Sequence, residues 1–175
     1  MAGAGLRPTP LRRRASRPQL KRDPLGGAQS TSSSRRTSSM RINPYLSFDG
    51  QCQAALKFYE RCLGGKIVYM MTYAQSPIAA QVPPEWAKRI YHATFSLGDQ
   101  TLGAADAPPG SYRSPQGLSL TLDLDAPADA DRLFEMLSEG GTVQMPVQET
   151  HWARRFGVLT DQFGTPWMIS CETPA

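Results

Sequence analysis

Few side chains in this chain could do chemistry, and they are scattered. His92 alternates with Thr94 and Ser96 along one face of a segment with strand periodicity. Asp106 closes the next apolar segment, and Glu149 and His151 stand beside Trp152. An imidazole and one or two carboxylates meeting in a hollow could act as a general acid–base pair, or hold a divalent ion in an unusual donor set. The plainer alternative is a hydrogen-bonded histidine and a glutamate that caps or pairs locally. His151, close to Arg154-Arg155, reads as solvated loop charge. These patterns fix no catalytic residue; His92 and Glu149 are the candidates. Cys52, Cys62 and Cys171 lack metal-ligand spacing. Cys52 and Cys62 lie too far apart along one helix to bond to each other. An odd number of cysteines suits buried thiols in a reducing interior.

Aromatic side chains supply the other resource. Trp86, Trp152 and Trp167 with Tyr45, Tyr69 and Tyr91 could floor a pocket that stacks a flat ligand, or could serve core and dimer packing. Tyr45 is distinctive, because alternation places it opposite Pro44, Leu46 and Phe48. Met70, Met71 and Met168 would add adaptable apolar lining, or ordinary core.

The elements that must position these residues come as a repeat. Asp49, Phe58, Gly64 and Ile67 recur as Asp125, Phe134, Gly140 and Val143, 76 residues on and without a gap. Each copy reads strand, turn, helix, double glycine, strand. The spacing predicts strands over 42–48, 66–73, 90–97 and 101–105, with a helix over 51–63. It then predicts strands over 117–124, 142–148, 152–159 and 166–171, with a helix over 127–139. Residues 74–89 form a Pro-containing loop with a short helix at Pro84-Glu85-Trp86, and 106–115 link the copies. Two βαβββ modules, over 42–106 and 117–172, give an α+β fold. Strand faces not covered by helices would turn inward as a cupped mixed sheet, a natural small-molecule pocket.

Charge divides the chain. Residues 1–39 hold nine Lys/Arg and one Asp, whereas residues 40–175 hold ten Lys/Arg and fourteen Asp/Glu. The basic isoelectric point therefore belongs to the first segment and does not argue for nucleic-acid binding by the folded domain. That segment, rich in Ser, Arg, Pro and Gly, cannot bury enough apolar surface to order itself. Three origins fit it: sequence upstream of a true start at Met40, an organellar transit peptide, or a basic arm for nucleic acid or membrane. No 18-residue apolar run or secretory h-region is present, so no membrane span is expected.

The motifs Asn43-Pro44-Tyr45-Leu46-Ser47-Phe48, Leu63-Gly64-Gly65, Gly98-Asp99-Gln100, Gln148-Glu149-Thr150 and Phe163-Gly164-Thr165-Pro166-Trp167-Met168 resemble the PhnB-like branch of the vicinal oxygen chelate superfamily. Glyoxalase I, bleomycin-resistance proteins and extradiol dioxygenases belong to the same superfamily. The resemblance covers residues 40–175 and implies a homodimer. It also implies a divalent metal held by His and Glu from four strands, acting as a Lewis acid. The matching positions here are Asn43 or Pro44, a residue within 101–105, Leu118 or Ser119, and Met168. None is His, Asp or Glu, so no metal and no other cofactor is expected at the family's usual place. Some branch members carry a 3-demethylubiquinone 3-methyltransferase label, but no Gly-rich strand-to-helix turn for a methyl donor's nucleoside is present.

The expected function is small-molecule binding in the cup, with Tyr45, His92, Asp106, Glu149, Trp152 and Met168 as ligand-binding candidates. The alternative is a metal-dependent lyase, isomerase or dioxygenase-type enzyme with a noncanonical site around His92 and Glu149. Localisation is expected to be cytoplasmic, or organellar if residues 1–39 act in import.

Overall fold

The computed structural model describes residues 41–172; the expectations for residues 1–39 lie outside them. The first module runs β1 (Tyr45–Phe48), α1 (Cys52–Leu63), β2 (Lys66–Thr72), β3 (Ile90–Leu97) and β4 (Gln100–Asp106). The second runs β5 (Leu120–Asp123), α2 (Pro127–Ser138), β6 (Thr142–Gln148), β7 (Ala153–Thr160) and β8 (Pro166–Glu172). Two four-stranded mixed sheets result, ordered β1-β4-β3-β2 and β5-β8-β7-β6. In each, the first strand pairs parallel with the last and the other pairings are antiparallel. Among the described residues no helix is long and apolar enough to cross a membrane.

The repeat reaches into local geometry. Gly64 and Gly140 both take positive φ, at 74° and 68°. Their neighbours Gly65 and Gly141 have no room for a side chain. A Cβ on Gly65 would overlap the Phe95 ring, and one on Gly141 would overlap the Thr160 carbonyl. The double glycine thus ends the helix and brings the next strand close to its sheet. Even the irregularity is duplicated, since pairing slips after Ile67 in β2 and after its equivalent Val143 in β6.

Two strands are shorter than expected. Residues 41–44 precede β1 without joining it. Pro44 has no N–H to give a ladder, and only its carbonyl is used, accepting from Gly103 N at 2.9 Å. β5 likewise begins at Leu120 and not at residue 117. The loop between β2 and β3 forms three short 3₁₀ turns. Trp86, on the third, is buried against Tyr73 and under the Arg89 guanidinium, which lies 4.4 Å from a ring centre.

The modules meet on their helix-covered sides. Phe48, Leu56, Tyr59 and Phe95 share one core with Leu159, Trp167 and Ile169. At its centre the buried Asp161 lies 2.7 Å from the Tyr59 hydroxyl and accepts from Trp167 Nε1 at 2.9 Å. It also accepts from the amides of Phe163 and Thr165. Trp167 is therefore part of the core, and it also lines a cleft between the modules. All three cysteines are free and buried. Burial, and then the Asp106 carboxylate, push the Cys52 thiol up to about 12, so it is inert as a nucleophile.

Candidate functional site: the open face of the first sheet

Alternation in β1 buries Leu46 and Phe48 and leaves Tyr45 and Ser47 on the opposite, uncovered face. Register carries that face across the sheet. Tyr45 pairs with Gly103, Gly103 with Thr94, and Thr94 with Tyr69. The Tyr45 ring lies over Gly103, where an added Cβ would come within 2.5 Å of Cδ2. In the neighbouring row, Met71 pairs with His92.

His92 is the centre of an aromatic group. Its ring stacks on Tyr45, with centres 5.8 Å apart and planes 16° apart, and Tyr69 flanks it at 5.9 Å. The Tyr45 hydroxyl is 3.1 Å from His92 Nδ1. Although 55% of Tyr45 is open to solvent, partial burial of the phenol raises its pKa, and Cys52, Tyr73 and Tyr91 add to the rise. The phenol therefore keeps its proton at neutral pH and can donate to Nδ1. The other ring nitrogen, Nε2, is engaged by no protein group among the described residues.

At the far end of β1 and β4 this face deepens into a hollow of about 440 Å³. Tyr45, Ser47, Tyr91, Tyr112 and Arg113 are among the residues lining it. A second cleft, of about 600 Å³, lies between the modules and includes Asn43, Thr101, Ser119 and Thr121 in its wall.

The other sequence candidates are placed as follows. Asp106 does not converge with His92 as expected. Its carboxylate is buried and accepts from the amides of Cys52 at 2.9 Å and Ile90 at 2.7 Å. The side chain is thus spent on the start of α1 and the start of β3. Glu149 is exposed after β6 and makes no side-chain hydrogen bond among the described residues. It follows β6 in the second module, lines neither hollow, and makes no hydrogen bond or ion pair with His92 among the described residues. Trp152 is half exposed, packed edge-on between His151, at 4.4 Å, and Phe156, at 5.7 Å. Met168 lies in β8 opposite Thr121, whose hydroxyl is 3.9 Å from its sulfur. Tyr91, one of the aromatic residues the sequence offers as pocket floor, lines the hollow, but sequence reasoning missed Tyr112 and Arg113. The linker residues gave no periodic signal, and only chain folding brings them beside β1.

The comparisons with known proteins agree with this architecture. Residues 41–169 match the family model of the Glyoxalase/Bleomycin resistance protein/Dioxygenase superfamily. The chain belongs to that superfamily. Protein YjdN of Escherichia coli K12 is 35% identical over 139 residues, covering 75% of this chain and 95% of YjdN. Protein PA1353 from Pseudomonas aeruginosa is 42% identical, with a TM-score of 0.71, covering 78% of this chain and all of its own. A PhnB protein from Bacillus cereus shares the fold, with a TM-score of 0.65 at 24% identity, over 75% of this chain and 99% of its own.

The superfamily's metal can be tested against the donors present. Asn43, Thr101, Ser119 and Met168 offer an amide, two hydroxyls and a thioether, a set poor in the nitrogen and carboxylate donors that hold divalent ions. Among the described residues no three of His, Cys, Asp and Glu gather around one point. These residues do not fit the superfamily's chelate.

Proposed function

We propose that this protein binds a small molecule against the open face of its first sheet, acting as a homodimer and without the superfamily's chelated metal. One observation carries the reading: Tyr45, held over a side-chain-free Gly103, stacks on His92 and leaves its Nε2 without a protein partner among the described residues. A face of this kind offers a flat apolar surface with one oriented polar group, the usual composition of a ligand site. Tyr69, 44% exposed, widens the uncovered aromatic surface of the first module, and Trp152, 49% exposed, is a separate exposed ring of the second. Exposed apolar area of this sort supports coverage by a second copy, as the family resemblance implies.

The test is a thermal-shift screen of metabolites and divalent ions on the full chain, since a ligand that binds only the folded state raises its apparent stability. The expected hits are organic molecules whose shift shrinks in Tyr45→Ala and His92→Ala. Stoichiometric Ni, Zn, Fe or Mn in the purified protein, lost in His92→Ala, would reject metal-free binding in favour of a metal enzyme. Sedimentation should give twice the chain mass.

A further inference from the structure

We propose that the hollow at the end of β1 and β4 selects an aromatic carboxylate carrying a single negative charge. This rests on the ligand-binding reading above and names the ligand's chemistry. Three features of the wall carry it.

The first is the one cation. Arg113 lines the hollow, and its Nη1 donates to the carbonyls of Gly110 and Tyr112, at 3.4 and 2.8 Å. Those bonds anchor the guanidinium to its own loop and leave its other N–H groups for an acceptor. A planar fork of this kind matches a carboxylate's two oxygens.

The second is the balance of hydroxyl groups. The Tyr73 phenol is spent on the Asp106 carbonyl, at 3.0 Å, and the Ser111 hydroxyl on the Pro108 carbonyl, at 2.6 Å. Tyr91 and Ser47 have no side-chain partner among the described residues, so their hydroxyls can donate to an anion, whereas the Tyr112 hydroxyl lies beside Gly164, which is not part of the wall.

The third is the absence of a competing charge aimed inward. Asp106 is the only acid at the wall, and its carboxylate turns away onto the amides of Cys52 and Ile90. One free cation without an inward anion suits a singly charged ligand. The rings of Tyr45 and Tyr91 then suit a flat body, and about 440 Å³ admits a bicyclic one.

The experiment titrates the full-length protein with 1-naphthoate, with salicylate, and with 1-naphthamide as the neutral isostere. The expected result is that naphthoate binds at least about tenfold tighter than naphthamide, as a charge-assisted pair would give. Arg113→Gln should bring naphthoate down to the amide's level, and Arg113→Lys should fall between. Arg113 is exposed, so neither variant should disturb folding; Tyr91→Phe supplies a second, subtler loss. Equal affinity for acid and amide, indifference to Arg113→Gln, or failure of both acids to bind each overturns the inference. Should other ligands then bind in a manner lost in Tyr45→Ala and His92→Ala, the binding reading survives and only the ligand class falls. Should no ligand depend on those two residues, both fall.

Discussion

Gly103 shows how much a single side chain decides. It faces Tyr45 across the parallel β1–β4 pair, and the ring occupies the space that a Cβ would need. In Gly103→Ala the ring must swing aside, which is inexpensive because Tyr45 is largely exposed. Ligand binding should therefore fall as far as in Tyr45→Ala, while the unfolding free energy measured in urea changes by about 0.5 kcal/mol or less. A variant that binds normally would show that the Tyr45–His92 stack is incidental. The direction of Tyr45 was legible in the sequence, because Pro44, Leu46 and Phe48 mark the buried stripe and alternation leaves Tyr45 and Ser47 opposite. Its contact with His92 was not legible. That contact depends on register through β4 and β3, which no local pattern encodes.

At the scale of elements, helix starts explain the placement of Asp106. Helix α1 begins with no side-chain cap from Gln51 and no acid in its first turn. Asp106 supplies the missing acceptor from 54 residues away in sequence, binding the Cys52 amide, and it also satisfies Ile90. Helix α2 has no such need at its first position, because it opens on Pro127, which has no N–H. The second module correspondingly has Cys171 one step past the Asp123–Ser170 pair, where β4 has Asp106. Asp106→Ala should thus cost about 2–4 kcal/mol, a lost cap plus a lost bond to a charged acceptor. Asp106→Asn keeps one acceptor oxygen and should cost about half as much. Chemical unfolding gives both values. Ligand affinity in the folded Asn variant should stay within about twofold of wild type, whereas a ligand-binding carboxylate would lose much more. The repeat made the elements readable, since two copies of the double glycine fix where each helix stops and each second strand begins. It could not reveal Asp106, a feature of one module alone. An acid at the end of an apolar strand looks the same in sequence whether it faces a ligand or a distant amide.

Across the whole molecule, the joint between modules rests on a buried polar group in an otherwise apolar interface. Tyr59 reaches from α1 to Asp161 and Thr165 in the turn before β8, and its ring packs edge-on against Trp167 at 5.4 Å. Asp161→Ala would leave the Tyr59 hydroxyl and the Trp167 indole N–H without their shared acceptor, a loss of about 3 kcal/mol or more. Tyr59→Phe keeps the indole and two amides on Asp161 and should cost about 1–2 kcal/mol. The same contact sets a pH response. Burial first, and then the Asp161 carboxylate, raise the Tyr59 phenol well above its ordinary 10.0, and burial raises Tyr73 as well. The folded chain therefore keeps these protons at pH values where the unfolded chain has begun to release them. With fewer protons bound in the unfolded state, stability is fully present below about pH 10 and falls as pH rises beyond it, by up to about 1.4 kcal/mol per pH unit for each such group. Urea unfolding at pH 9, 10 and 11 should show that decline in wild type and a shallower one in Tyr59→Phe, which has no phenol to ionise. Parallel curves would mean that the decline comes from another phenol, such as Tyr73, and that the Tyr59 proton does not tie the modules together.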